Sequence, residues 1–248
     1  GHELTVFDLK REAAEELLSL GAKWAASPGA VAEASQVVFT SLPRPRDVEE
    51  VAMGEGGILS GASQGMAYFD LSTTDPGNIE RIAAAGGAQG VHVLDAPVSG
   101  GTIGAEKATL CVMVGGDRGV YDEYKPALDL IGDNVMYCGD LGAGAVCKIV
   151  NNLIGLSVGV MLSEAFTMGI RAGVDAQILF EAVSKSSGKT LAMQGFPNSL
   201  FKRKFEPGFQ LDLAAKDVGL ATQLGRDLQV PMEMSNIAQQ RYVDAQNR

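Results

Sequence analysis

A lysine and two asparagines share a helical spacing within an apolar stretch that begins near Gly142. Lys148, Asn151 and Asn152 lie at positions i, i+3 and i+4, so a helix would place a cation and two amides on one side. Burial in apolar surroundings lowers the pKa of a lysine towards neutral pH, which suits a general acid or base. The same spacing fits a lysine that extends to solvent at a helix end. The pattern therefore predicts either a catalytic Lys148 or an exposed one.

A second candidate site is a glycine turn after an apolar run. Residues 95–101 read Asp-Ala-Pro-Val-Ser-Gly-Gly, and they follow a predicted strand. Glycines allow backbone N–H groups to approach an anion closely. Ser99, Gly100 and Gly101 are therefore predicted to form a site for a small carboxylate.

Other candidates also follow predicted strands. Asp8 closes the first of these, where an acidic residue of a dinucleotide-binding unit accepts hydrogen bonds from ribose hydroxyls. It is equally well placed to cap the helix that follows. Leu42-Pro43 and the run 72–76, Ser-Thr-Thr-Asp-Pro, follow two further strands. Hydroxyl and free N–H groups at a helix start, as in the second run, suit a phosphate or an amide ligand, although helix capping also explains this run.

A sheet is needed to position these residues. In the first half of the chain, short β-type runs alternate with helical patterns, which predicts a parallel sheet with crossover helices. The predicted strands are 4–7, 37–40, 67–70, 92–95 and 110–114, and the predicted helices are 11–20 and 76–85. After about Gly139, helical periodicity predicts helices over 142–172, 176–184 and 213–224, with a loop or short helices over 188–207. The sequence thus predicts an α/β domain followed by an all-α domain.

Composition argues against several classes of protein. The 248 residues carry a formal net charge of -10, so we expect no nucleic-acid partner. The most apolar stretch, 149–170, is interrupted by polar residues, so we expect a buried helix and no membrane partner. The start has no signal-peptide pattern, which favours a cytoplasmic location.

The three cysteines, Cys111, Cys138 and Cys147, form an odd set without a C-x-x-C pair. Each lies in apolar sequence, so we expect buried thiols in a reducing compartment. Neither a disulfide framework nor a metal site is expected.

Four of these segments together resemble the β-hydroxyacid dehydrogenase family, whose members include 3-hydroxyisobutyrate dehydrogenase and tartronate semialdehyde reductase. The motifs lie at 95–101, 142–152, 72–76 and 207–217, and their order and spacing extend over nearly the whole chain. The resemblance implies a Rossmann-type dinucleotide-binding domain over residues 1–140 and an all-helical domain for substrate binding and dimerisation over residues 141–248. The segment 201–209 is more similar to the tartronate semialdehyde type.

The resemblance also implies roles for individual residues. Lys148 would be the general acid/base and Asn152 its partner at the substrate. The substrate-binding set would be Ser99, Gly100, Gly101 and Asn151. The cofactor-binding set would be Asp8, Leu42, Pro43, Asp47, Thr73 and Lys216, the last from the second domain. The implied reaction is reversible hydride transfer between a nicotinamide cofactor and a short-chain 3-hydroxy acid, a small carboxylate, or its semialdehyde.

The cofactor is expected to be NAD, with NADP as the alternative. Asp8 would repel the 2′-phosphate of NADP and accept from the ribose hydroxyls of NAD, although Lys10 and Arg11 could offset this effect. Family members begin with a strand and a Gly-x-Gly-x-x-Gly turn, and nothing of that form precedes Gly1. We therefore expect either that the sequence lacks its start or that dinucleotide affinity is weakened.

Two other functions stay open at this point. One is a non-catalytic binding protein with a dinucleotide-binding fold, which Lys148 and Asn152 argue against. The other is a related reductase of imines or sugar acids. The imine-reducing relatives lack a lysine at the catalytic position, so Lys148 also argues against that activity. Because the stretch from Gly144 is more apolar than a monomer requires, we expect a homodimer or homotetramer.

Overall fold

The computed structural model describes residues 2–206 and 208–248. The chain divides into two compact units, Gly1–Lys148 and Ile149–Arg248, which are described separately below. Pro207, the first residue of one motif, lies outside the described residues.

The strands of the described chain all lie in unit 1. They are β1 (Thr5–Val6), β2 (Lys23–Trp24), β3 (Val37–Thr40), β4 (Ala67–Asp70), β5 (His92–Asp95), β6 (Val98–Ser99), β7 (Cys111–Gly115) and β8 (Asn134–Gly139). The predictions for β3, β4 and β5 are confirmed to the residue. The short β2 and β6 and the half-exposed β8 were not predicted, because none of them shows a run of buried β-branched residues.

The helices of unit 1 connect these strands. They are α1 (Glu15–Ser19), α2 (Pro28–Glu33), α3 (Pro45–Met53), α4 (Ile58–Gly61), α5 (Pro76–Gly87), α6 (Gly101–Glu106) and α7 (Arg118–Leu128). The start of α5 follows the prediction, since the Asp75 side chain accepts a hydrogen bond from the Asn78 N–H and Pro76 is the first helical residue.

The main sheet has the order β3-β4-β5-β7-β6, with β8 paired to β7. Strands β3, β4 and β5 are parallel, as predicted, but β7 is antiparallel to both β5 and β6. The expectation of a parallel sheet is therefore confirmed for β3, β4 and β5 and wrong for β7. The physical reason is the connection through β6 and the short α6, which returns the chain in the opposite direction without a full crossover.

Both faces of this sheet are buried. Tyr68 and Val93 pack in one apolar cluster, while their neighbours Phe69 and Leu94 pack in a second. Successive residues of a strand point to opposite faces, so the two clusters lie on the two sides of the sheet. This arrangement explains why the strands are apolar throughout.

Unit 2 is helical in its described residues. The long helix α8 (Ala143–Arg171) begins in unit 1 and continues into unit 2, where α9 (Ala176–Ser184), α10 (Leu211–Asp227) and α11 (Glu233–Gln246) follow. Two short 3-10 helices, Ala192–Gly195 and Leu200–Lys202, occupy the predicted loop. The polar α11 has few apolar positions and lies beyond 213–224, the last helix with predicted bounds.

An aromatic cluster forms the core of unit 2. Phe166 packs edge-on against Phe196 at 5.1 Å between ring centroids, and Phe201 contacts both rings and Phe180. Phe205, from the same segment as Phe201, is exposed. Phe201 therefore contributes to the core of unit 2, whereas Phe205 does not.

Helix α8 contradicts the expectation of a buried helix. Among the described residues, it is the one helix long and apolar enough to cross a membrane by length and composition, with a mean hydropathy of 1.7 over its best window. Only 22% of that window is buried within the chain. Ile154, Met161 and Met168 are among its exposed side chains. The apolar composition of α8 therefore did not indicate what fraction of the helix is buried within the chain.

Candidate active site

Three buried polar residues end adjacent parallel strands of unit 1. The strand register places Thr40 of β3 beside Asp70 of β4, and Asp70 beside Asp95 of β5. Asp70 and Asp95 are almost completely buried. In open α/β sheets, ligands bind beyond the carboxyl ends of the strands. This row of residues therefore marks the edge at which a site would form.

Asp70 connects the loops that follow β3 and β4. Its Oδ1 accepts hydrogen bonds from Thr40 Oγ1 at 2.8 Å and from Ser72 Oγ at 2.6 Å. Ser72 Oγ in turn accepts from the Leu42 N–H at 2.8 Å. Burial raises the pKa of Asp70, and the hydrogen bonds from Ser72 and Thr40 partly oppose that rise. Asp70 is not among the predicted site residues, although its place at the end of a predicted strand, like that of Asp95, was a usable signal.

Asp95 anchors the start of α8. Its Oδ1 accepts the Gly142 N–H and its Oδ2 the Ala145 N–H, both at 2.7 Å. Burial raises the pKa of Asp95, while these backbone hydrogen bonds act to lower it. The bonds join residues 47 and 50 positions apart in sequence. One carboxylate therefore holds the first turn of the helix against the end of β5.

Two glycines make room for this carboxylate. A Cβ on Gly144 would collide with the Met113 carbonyl oxygen and would lie 2.8 Å from Asp95 Oδ2. A Cβ on Gly115 would lie 2.6 Å from Asp95 Oδ1. The second glycine of the Gly142-x-Gly144 pattern is thus explained by close packing of α8 on β7 and on Asp95.

Lys148 lies one turn beyond this anchored start and is only 8% exposed. The structure therefore contradicts the alternative of a lysine extended to solvent. Asn152 lies one turn further along α8 and is partly buried, whereas Asn151 is exposed and donates to Asn152 Oδ1 at 3.0 Å. The expected common face thus includes Lys148 and Asn152, with Asn151 turned towards the surface.

A buried carboxylate in unit 2 holds Asn152. Asn152 Nδ2 donates to Asp217 Oδ2 at 2.6 Å, and Lys216 Nζ lies 3.0 Å from Asp217 Oδ1. Asp217 is 2% exposed, so this ion pair is not an ordinary surface pair. The signal was available, because Asp217 shares a helix face with Ala214 and Ala221, which are both buried.

The predicted anion turn contains two consecutive glycines with positive φ. Gly100 and Gly101 follow Ser99 with φ values of +138° and +64°. A side chain at Gly100 would also lie 3.0 Å from a methyl group of Leu110. Only glycine adopts this pair of conformations readily, and both glycines are exposed.

The predicted cofactor-lining residues follow the same strand ends. Leu42 and Pro43 come directly after β3, Thr73 comes after β4, and Asp47 lies in the first turn of α3, 3.5 Å from Arg46 Nε. Nearby, the buried Thr74 Oγ1 and Asn78 Oδ1 have no hydrogen-bond partner among the described residues. Unpaired buried polar atoms are costly, and a polar ligand such as a nicotinamide amide would satisfy them. These residues therefore fit a dinucleotide cofactor.

Asp8 lies apart from this row of strand ends. It follows β1, which pairs only with β2 among the described strands. Asp8 Oδ1 accepts the Lys10 N–H at 2.8 Å, and the side chain is exposed. This geometry is compatible with two roles for Asp8, as an acceptor in the local turn and as an acceptor for a ribose hydroxyl.

Comparisons with known proteins match both halves of the chain. Residues 1–139 match the NAD binding domain of 6-phosphogluconate dehydrogenase, and residues 142–248 match the family described as NAD-binding of NADP-dependent 3-hydroxyisobutyrate dehydrogenase. Together the two family models extend over almost the entire sequence.

The chain is similar to several enzymes in sequence and to solved structures in fold. The chain is 37% identical to 2-(hydroxymethyl)glutarate dehydrogenase of Eubacterium barkeri, over 97% of this chain and 80% of that enzyme. It is 36% identical to 2-hydroxy-3-oxopropionate reductase of Escherichia coli, over 92% of this chain and 78% of that enzyme. The structure of Mycobacterium tuberculosis 3-hydroxyisobutyrate dehydrogenase with L-serine matches with a TM-score of 0.89 at 29% identity, over 98% and 85% of the two chains.

These matches confirm the family resemblance and the expected fold class, a Rossmann-type domain followed by a helical one. They also establish a nicotinamide dinucleotide as the class of cofactor. The chain belongs to the 3-hydroxyisobutyrate dehydrogenase family, the NAD(P)-dependent hydroxyacid dehydrogenases and reductases that act on CH–OH groups.

Proposed function

We propose that this protein interconverts a short-chain 3-hydroxy acid and its semialdehyde, of the 3-hydroxyisobutyrate or tartronate semialdehyde type. The observation that supports this most directly is the buried Lys148 on a helix whose start is anchored by Asp95. When bound, the nicotinamide cofactor supplies the hydride acceptor or donor. The remaining chemistry is a proton transfer, which falls to the chain itself.

Lys148 is the proton carrier in this proposal. In oxidation, the neutral amine of Lys148 Nζ removes the proton from the substrate hydroxyl. In reduction, the ammonium form returns a proton to the carbonyl oxygen. Burial of the amine keeps water from competing for that proton. Asn152, held by Asp217, donates or accepts a hydrogen bond at the same oxygen.

The glycine turn orients the substrate. Backbone N–H groups of Gly100 and Gly101, with the Ser99 hydroxyl, bind the substrate carboxylate, and Asn151 contributes to the same substrate-binding set. Fixing one end of a short acid restricts where its hydroxyl carbon can lie, and such orientation contributes much of the rate enhancement of two-substrate enzymes.

The cofactor is proposed to be NAD. Leu42, Pro43, Asp47, Thr73 and Lys216 form its binding set, and Asp8 selects against a 2′-phosphate by charge repulsion. The exposed position of Asp8 and its acceptance of the Lys10 N–H leave its second oxygen available for a ribose hydroxyl.

A turnover screen tests the proposal. NADH binding is first measured by fluorescence titration of the intact protein, and short 3-hydroxy acids and their semialdehydes are then tested as substrates. Lys148→Ala should lower kcat by at least about a hundredfold with the fold intact. The matched control is Lys107→Ala, an exposed lysine of the same unit, which should leave kcat unchanged. Near-normal turnover of the Lys148 variant would refute the assigned role.

We also propose a cytoplasmic homodimer or homotetramer. The exposed Ile154, Met161 and Met168 recur every seven residues on α8, so they form one apolar stripe within unit 2. Light scattering of the purified protein, without detergent, should give a mass of two or four chains. A monodisperse monomer, or a protein that requires detergent to stay in solution, would contradict this proposal.

A further inference from the structure

Unit 1 buries a carboxyl group at its strand ends and leaves its thiols at least partly accessible. Cys147 is exposed, and Cys111 and Cys138 are partly buried, so the expectation of three buried thiols is wrong. Asp70, in contrast, is fully buried at the end of β4, beside Thr40 at the end of β3. A buried carboxyl group that takes no part in the proposed proton transfer calls for a role of its own.

Asp70 receives a chain of hydrogen bonds that extends from the sheet to the loop after β3. Its Oδ1 accepts from Thr40 Oγ1 at 2.8 Å, from Ser72 Oγ at 2.6 Å and from the Ser72 N–H at 3.2 Å. Thr40 gives its one hydroxyl proton to Asp70, so the Tyr68 hydroxyl, 3.0 Å away, donates to Thr40. Ser72 likewise gives its hydroxyl proton to Asp70 and accepts from the Leu42 N–H at 2.8 Å. All of these hydrogen bonds are directed towards one oxygen of Asp70.

The loop after β3 has few backbone donors of its own. Residues 42–45 read Leu-Pro-Arg-Pro, and the two prolines have no N–H group. The Leu42 N–H is therefore one of two backbone donors in this stretch, and it is bonded to Ser72. The far end of the stretch is also held, because Asn78 Nδ2 donates to the Pro45 carbonyl oxygen at 2.9 Å. Side chains that follow β4 thus hold both ends of residues 42–45.

From these contacts we infer that Asp70 is a positioning residue for the nicotinamide half of the cofactor. It acts through Ser72, whose hydroxyl group holds Leu42 and Pro43 in place along that half of the dinucleotide. The inference rests on the function proposed above, in which Leu42, Pro43 and Thr73 belong to the cofactor-binding set. Thr73 directly follows Ser72, so Asp70 also holds the start of the loop that carries Thr73. Asp70 is itself fully buried, so it acts only through these loops.

The position of the loops favours the nicotinamide half over the adenosine half. The adenosine ribose is assigned to Asp8, which follows β1, and β1 pairs only with β2 among the described strands. Leu42 and Thr73 instead follow β3 and β4 of the main sheet. The next strand of that sheet is β5, whose terminal Asp95 anchors the helix that carries Lys148. Because hydride and proton reach the same substrate group, the nicotinamide belongs at the edge of the sheet where Lys148 lies.

The two oxygens of Asp70 differ, and this difference defines a conservative variant. All three donors reach Oδ1, whereas Oδ2 is buried without a hydrogen-bond partner among the described residues. Asp70→Asn keeps a carbonyl oxygen in the place of Oδ1 and changes only the unpaired position. Burial also raises the pKa of Asp70, which favours the neutral acid that asparagine resembles. Asp70→Ala, in contrast, removes the acceptor.

Calorimetric titration of the intact protein with NADH and with ADP, which lacks the nicotinamide half, tests the inference. Asp70→Ala should raise the Kd for NADH about tenfold, the scale of one lost hydrogen bond, and leave the Kd for ADP within about twofold. Asp70→Asn should keep the Kd for NADH within about threefold of the native value. Ser72→Ala breaks the chain between Asp70 and Leu42, so it should reproduce the effect of Asp70→Ala. The matched control is Ser27→Ala, which removes a hydroxyl that caps α2 in the same unit and should change neither Kd.

Hydrogen exchange at the Leu42 amide, followed by NMR, tests the positioning step without any cofactor. In the native protein this N–H is bonded to Ser72, so its exchange should be slow. Asp70→Ala should accelerate that exchange at least about tenfold, and Asp70→Asn should leave it nearly unchanged.

The opposing results are equally specific. Unchanged exchange at Leu42 in Asp70→Ala, equal losses of NADH and ADP affinity, or a loss of NADH affinity in Asp70→Asn as large as that in Asp70→Ala would each overturn the inference. If Asp70→Ala does not fold, Ser72→Ala decides by the same two measurements. A native protein that shows the expected exchange at Leu42 but binds no NADH would instead contradict the proposed function and leave the hold of Asp70 on Leu42 standing.

Discussion

Replacing Asp95 with asparagine should separate the start of α8 from the end of β5. In the native chain, each carboxylate oxygen accepts one backbone N–H, from Gly142 and from Ala145. An asparagine side chain keeps one acceptor oxygen but presents an NH₂ group in place of the other. One of the two backbone donors would then face another donor in a buried setting.

The magnitude follows from these two bonds. A hydrogen bond to a charged group contributes about 1.5–3 kcal/mol, and leaving a buried donor unpaired costs about 1–3 kcal/mol. Burial raises the pKa of Asp95, which means that its ionised form is itself costly in the native state, and a neutral amide avoids that cost. We therefore expect Asp95→Asn to lower the free energy of unfolding by about 2–4 kcal/mol.

Urea unfolding at neutral pH measures this change, and Asp117→Asn is the matched control. Asp117 caps α7 through a single hydrogen bond from the Val120 N–H and is exposed, and asparagine caps helices as well as aspartate does. The control should therefore change stability by less than about 0.5 kcal/mol. Asp95→Asn should also lower kcat, because Lys148 is on the released helix. A stability for Asp95→Asn within the range of the control would refute the anchoring role.

Four further substitutions test other parts of the site. Gly144→Ala forces a Cβ against a backbone carbonyl, so it should cost at least about 2 kcal/mol in unfolding experiments. Burial raises the pKa of Asp70 above its ordinary 3.8, so the folded state keeps that proton longer and this contribution to stability falls as pH rises above about 4. The urea midpoint of Asp70→Asn should therefore fall less steeply with pH than that of the native protein between about pH 4 and 7. If the pH dependence of the urea midpoint is the same in the variant and the native protein, Asp70 is not a buried carboxyl that titrates in this range. Asp217→Asn weakens the hold on Asn152 and should lower kcat/KM about tenfold, the scale of one charged hydrogen bond. Asp8→Ala should reduce the preference for NADH over NADPH about tenfold, and unchanged selectivity would remove Asp8 from the cofactor site.

The sequence by itself determined the fold class and most of the strands. Runs such as 37–40, 67–70 and 92–95 are apolar enough to be buried on both faces, so local pattern and tertiary structure agree there. The sequence also predicted which segments could carry chemistry, from the lysine-asparagine spacing and the Ser-Gly-Gly turn. The antiparallel β7 was beyond such reasoning, since strand direction depends on the path of the connection and not on the strand's own residues.

Only the tertiary structure decided which polar side chains are buried and what they hold. Asp95 bonds to N–H groups 47 and 50 residues away, and Asn152 bonds to Asp217, 65 residues away. No local pattern encodes such pairings, because they depend on which elements pack together. The sequence thus predicted Lys148 as the candidate proton carrier, and the structure showed that the Asp95 carboxylate holds the start of its helix.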